Sequence, residues 1–111
     1  MGLYEREPIK VGFWRGRDGD QSEYPDVRSF IDWTWNPNER ALVAAYVSNS
    51  RFRGEGYRGW SDCRICGRNN GSSDFSDRVY VWPEGFVHYI RDHGVKPPSD
   101  FVAHVVAQSR R

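Results

Sequence analysis

Leucine is nearly missing from this chain: two Leu and four Ile stand against eleven Val in 111 residues. An interior of large branched aliphatics is therefore excluded, and the core has to be assembled from Val and aromatic rings. Long apolar runs are missing too. The longest uncharged one covers 41–47, far short of the roughly 18 residues that a membrane span needs. The first ten residues alternate charged and apolar side chains without an apolar stretch, so they do not read as a signal peptide. These features predict a cytoplasmic protein with no membrane partner. Cysteine is reduced to Cys63 and Cys66. At that spacing, and in a reducing compartment, a metal or redox role is expected before a disulfide staple. Lysine is scarce as well, with two Lys against fourteen Arg.

What is present points to one folded domain over residues 1–111. Seventeen aromatics, five Trp, six Tyr and six Phe, are more than a disordered segment of this length carries. The chain is too short for a second core of useful size. Net charge is only +1, but it is unevenly spread: residues 1–50 carry a net −2 and residues 51–111 a net +3.

Local signals divide the chain into short elements. Residues 9–14 alternate as a strand does, and 30–35 form an aromatic cluster expected in the core. Asn36-Pro37-Asn38-Glu39 reads as a helix start: Asn36 caps, Pro37 takes the first helical position, and Glu39 reaches back in a capping box. The helix is expected over 37–48, with Leu42, Ala45 and Tyr46 as its apolar stripe and Val43 and Val47 beside it. Residues 51–59 read as a connection with room for a short strand, 60–67 as a tight turn and 69–77 as loop. A strand over 78–82 is followed by a helix opening at Pro83-Glu84 and ending at His93-Gly94. A last helix is expected from Ser99-Asp100 to about Gln108. The expectation is an α+β domain: a short sheet plus about three helices.

The strongest chemical signal is Cys63-x2-Cys66-x21-His88-x4-His93. Two thiolates and two imidazoles suffice for a tetrahedral zinc ion. A C-x2-C turn brings both sulfurs to one side of a tight loop, and Gly67 suits the positive φ that such a turn takes. The order knuckle, loop, strand, helix over residues 60–94 resembles the two-Cys, two-His zinc fingers and, more loosely, the treble-clef zinc domains. The run Trp60 to Gly67 together with Tyr80 to Tyr89 also looks like small uncharacterised bacterial or phage proteins that share a Trp-Ser-x-Cys-Arg-x-Cys-Gly knuckle. The resemblance implies one Zn2+ per chain, held by Cys63, Cys66, His88 and His93. Five residues of ideal helix separate the two His by about 140°. They converge only if the helix tightens, widens or ends at His93; otherwise His104 or water is the alternative fourth ligand.

Motifs with a catalytic meaning are missing. A zinc deaminase needs His-x-Glu before its Cys pair, and a metalloprotease needs His-Glu-x-x-His, where this chain has Tyr89 after His88. No catalytic residue is assigned. Arg51, Arg53, Arg58, Arg64 and Arg68, interleaved with Phe52, Tyr57 and Trp60, form a candidate ligand-binding cluster of the kind that suits single-stranded nucleic acid. The bland alternative is that Trp60 packs on the knuckle and the Arg are solvated. The leading expectation is a non-enzymatic, zinc-stabilised interaction module, with a protein partner placed ahead of nucleic acid. The alternative is a small metal-dependent hydrolase or nuclease with an open zinc position.

Overall fold

The computed structural model describes residues 7–16, 19, 21–57 and 59–110. It is an α+β fold with a four-stranded mixed sheet and three α-helices. The strands are β1 (Ile9–Lys10), β2 (Arg53–Tyr57), β3 (Ser73–Ser76) and β4 (Tyr80–Pro83). The helices are α1 (Pro37–Val47), α2 (Phe86–His93) and α3 (Ser99–Ser109), with short 3-10 turns at Val27–Phe30 and Ser50–Phe52. The sheet order is β1-β4-β3-β2. β2, β3 and β4 run antiparallel, while β1 lies parallel to β4 with Ile9 beside Tyr80.

β4 organises the interior. Tyr80 and Trp82 are two apart and so share a face of the strand. Both rings meet Phe101 of α3 edge-on, at 4.9 and 5.8 Å. Trp82 is fully buried and donates its indole N–H to the carbonyl of Val47 at 2.9 Å, which ties the end of α1 to the sheet. α1 packs on both α2 and α3. Trp14, Phe86, Tyr89, Ile90 and seven buried Val complete a core made of rings and Val, as the shortage of Leu requires.

Several elements depart from the sequence expectation. The first strand stops at Lys10 because the chain turns at Gly12, whose backbone lies against the Phe86 ring. Asn36 caps α1 as expected, accepting from the N–H groups of Asn38 and Glu39. Glu39 does not close a capping box; its carboxylate instead takes the indole N–H of Trp35 at 2.6 Å. The buried face of α1 is Val43, Ala44 and Val47, whereas Leu42 is exposed. Tertiary packing against α2 and α3 selected the Val-lined face over the stripe that contains the one Leu. In the 30–35 cluster Trp35 is buried, but Trp33 is 61% exposed, lying over Gly94 with the Arg40 guanidinium 5.3 Å from its ring. The loop expected over 69–77 contains β3, a strand whose Ser73-Asp74-Phe75-Ser76 sequence offers one apolar side chain. Its pairing with both neighbours, not its own propensity, makes it a strand. The helix expected from Pro83 begins at Phe86, and the strand expected from Arg78 begins at Tyr80.

Candidate metal centre

The second half of the chain builds the site in order: a knuckle hairpin, the β3–β4 hairpin, then α2. In the knuckle, Asp62 and Asn69 form an antiparallel bridge, and the N–H of Cys63 donates to the carbonyl of Arg68 at 2.8 Å. Gly67 turns the chain with φ 79° and returns its N–H to the carbonyl of Cys63 at 2.9 Å. The same turn points the N–H groups of Ile65 and Cys66 at the sulfur of Cys63, both at 3.4 Å. Cys63 is fully buried, Cys66 is exposed, and neither is in a disulfide.

The knuckle is fastened to α2 at two points. The backbone N–H of Arg64 donates to the Tyr89 hydroxyl at 2.7 Å, and the Asn70 amide donates to the carbonyl of Gly85 at 3.2 Å. Burial pushes the Tyr89 hydroxyl up to about 12, so it stays protonated. These contacts place the sulfurs beside the face of α2 that carries His88 and His93.

The helix brings its two imidazoles together by both widening and ending. The N–H of Gly94 donates to the carbonyl of Tyr89, five residues back, and the N–H of Val95 reaches the same oxygen at 3.1 Å. This last turn is wider than an α turn. Gly94 then leaves the helix at φ 65°, and a Cβ there would lie 2.7 Å from the Trp33 indole. The position demands glycine for its backbone angle and for its neighbour alike. The strand-like pairing of Ile31 with Val95, flanked by bonds from Asp32 to Gly94 and from Lys96 to Phe30, holds this end in place. The two imidazole centroids lie 4.8 Å apart, with their planes at 90°.

One ligand atom from each of Cys63, Cys66, His88 and His93 lies within 4.8 Å of all the others. His104, the alternative fourth ligand, is not among them. Its Nε2 sits 2.7 Å from the Asp77 carboxylate, to which Tyr46 also donates at 2.5 Å.

The surroundings suit a metal ion. His88 Nδ1 is 2.9 Å from an Asp92 oxygen. A carboxylate only accepts, so Nδ1 carries a proton, which in the neutral imidazole leaves the lone pair on Nε2. Nε2 is the atom 3.4 Å from the Cys66 sulfur. This carboxylate–imidazole pairing is the usual outer support of a metal-bound histidine. His93 Nε2 is buried and has no hydrogen-bond partner among the described residues. Burial, with the His88 ring beside it, lowers the pKa of His93 against the opposing pull of Asp92, and so favours the neutral imidazole that a metal needs. A buried ring nitrogen without a partner costs about 1–3 kcal/mol, and a metal ion between the four donors would remove that cost.

The Arg cluster expected over 51–68 is not one free face. Arg51 stacks on Phe52 at 4.6 Å. Arg53 lies over Phe75, donates to the Ser73 hydroxyl and pairs with Glu84 at 3.6 Å. Arg64 donates to the carbonyl of Asp62 and to Gln21. Arg68 is exposed, and no described carboxylate pairs with it. Arg58 lies outside the described residues. Trp60 is 66% exposed, so it does not pack into the knuckle. Sequence reasoning missed Asp92 and Tyr89 as supports of the site. Asp92, four residues after His88 on one helix face, carried a signal that helical spacing alone could have found.

No helix among the described residues is long and apolar enough to cross a membrane. No protein-family model, no curated protein and no solved structure matches the chain.

Proposed function

We propose that Cys63, Cys66, His88 and His93 hold one zinc ion as a structural centre, and that the domain is a zinc-stabilised interaction module acting on a protein partner. The observation that carries this reading is the convergence of four protein donors on one point, with His88 already oriented by Asp92. Two sulfurs and two imidazole nitrogens match the preferences of zinc, and four protein ligands fill a tetrahedral shell. A hydrolase or nuclease needs a position open to water, which here would require one of the four to leave. A protein partner is preferred over nucleic acid because Arg51, Arg53 and Arg64 already make contacts within the chain.

The test is elemental analysis of protein purified with neither added metal nor chelator. About one zinc per chain is expected, and chelation should lower the melting temperature steeply. Structural zinc contributes on the order of 10 kcal/mol in small fingers, which rivals the whole stability of a domain. A metal-free protein that is well folded would overturn the reading.

A further inference from the structure

A groove of about 390 Å³ runs beside the metal centre, between the knuckle, the β3–β4 hairpin and α2. Arg68 reaches it from the knuckle, Arg91 from α2 and Arg53 from the neighbouring β2, together with Glu84 and Asp92. We propose that this groove docks an acidic peptide segment of a protein partner, with a carboxylate held between Arg68 and Arg91. The inference rests on the reading of the domain as a protein-interaction module and supplies its surface and the chemistry of its partner.

The groups in the groove divide into those already used and those left over. Glu84 takes the backbone N–H groups of Ser72 and Ser73 on one oxygen, at 2.9 and 3.0 Å, and faces Arg53 with the other. These bonds and the Arg53 charge outweigh burial and hold its carboxyl below the ordinary range. Asp92 is engaged by His88. Arg53 is pinned by the Phe75 ring, Ser73 and Glu84 and forms a fixed wall. Arg68 and Arg91 are exposed, and among the described residues neither has a carboxylate partner. Each presents a planar fork that matches a carboxylate. Asn69 spends its side-chain oxygen on the N–H of Gly71 and keeps its NH2 group as a donor for a peptide carbonyl.

Two features favour a peptide over a nucleic-acid strand. The three Arg outnumber the two carboxylates by one, which suits a single anionic group at a time rather than a run of phosphates. Binding of single strands relies on exposed aromatic faces for base stacking. The ring that lines this groove, Phe75, is 5% exposed and is covered by Arg53.

The experiment maps amide chemical shifts in the whole, zinc-loaded protein, its metal content measured beforehand. Three probes are titrated: a hexapeptide of alternating Glu and Leu, the matched peptide with Gln in place of Glu, and oligothymidylate. The Glu peptide is expected to shift the amides of Asn69, Asn70, Gly71 and Arg91, and the Gln peptide to leave them in place. Arg68→Glu and Arg91→Gln should each weaken the Glu peptide about tenfold, as loss of a charge-assisted contact does. Both side chains are exposed, so the variants should keep the wild-type spectrum elsewhere; Arg68→Gln is the milder substitute if the charge reversal disturbs the knuckle. A folded, zinc-loaded protein whose groove ignores the Glu peptide, or answers both peptides equally, overturns the inference and leaves the metal-stabilised module standing. Oligothymidylate binding tighter than the Glu peptide overturns the inference and the protein partner together.

Discussion

Two separate histidine clusters, one around Asp77 and one at the knuckle, differ in what they lack. Around Asp77 the polar groups are complete. One carboxylate oxygen accepts from Tyr46 and meets His104, and the other accepts the N–H groups of Val79 and Tyr80 at 3.0 and 2.8 Å. Around Cys63, Cys66, His88 and His93 four ligand atoms converge, and His93 Nε2 is buried without a partner among the described residues. The first cluster is a finished latch between α1, the β3–β4 turn and α3. The second becomes complete only when something binds it. Buried polar groups are almost always satisfied, so the unsatisfied cluster is where a ligand belongs and the satisfied one is architecture.

The largest expected effect breaks the second cluster. Cys66→Ser should release the metal and cost most of the stability of the domain, since the ion would lose a thiolate ligand. His104→Ala should leave zinc content unchanged and cost about 1–3 kcal/mol, the scale of a hydrogen bond to a charged partner. Thermal melts with parallel metal analysis separate the two. Equal small losses would move the metal away from Cys66, and loss of zinc in His104→Ala would erase the distinction between the clusters.

A change at Asp77 tests the latch. Burial pushes this carboxyl up, but the bonds from Tyr46, Tyr80, His104 and Val79 outweigh it and hold it below its ordinary value. A depressed folded-state value means stability that is present above the unfolded pKa and lost as pH falls through the folded one. Asp77→Asn should therefore be less stable than the parent by about 3–5 kcal/mol at neutral pH, the scale of breaking a buried pair. The gap should narrow as the pH falls below about 4, where the unfolded carboxyl takes up its proton. Denaturant titrations of both proteins across that range measure it, and a gap that does not change with pH would remove the charge from the explanation.

A smaller effect sharpens the metal side. Asp92→Asn keeps the shape of the side chain and weakens its pull on the Nδ1 proton of His88. Zinc affinity should fall about tenfold to a hundredfold, as for other outer supports of metal-bound histidine, with the fold retained. Competition with a chromophoric chelator reads the change; unaltered affinity would reduce Asp92 to a surface partner.

The four residues of the cluster were legible in the sequence because their signal is local. A C-x2-C turn and an H-x4-H pair each sit within one element, and Gly94 marks where the helix must stop. The α+β class and the three helices were legible for the same reason, since caps and apolar spacing act over a few residues. What escaped was decided across the chain. β3 carries one apolar residue and is a strand only because β2 and β4 flank it. The buried face of α1 was set by α2 and α3, so Leu42 ended outside. The Arg around 51–68 looked like one basic face because sequence proximity does not reveal that Phe75, Ser73 and Glu84 wait for Arg53 across the sheet.

The parallel seam between β1 and β4 bears on the order in which the molecule assembles. Knuckle, hairpin and α2 follow one another closely along the chain, whereas Ile9 must find Tyr80 across most of the domain. Closing a long loop is slow relative to forming local contacts. During synthesis the β1 segment emerges early, yet its neighbour in the sheet is made much later. The expected sequence is that residues 61–94 gather first and β1 docks onto the exposed edge of β4 afterwards. Pulsed hydrogen exchange during refolding should then protect the amides of α2 before those of Ile9 and Val11, whose N–H groups bond to Val79 and Val81.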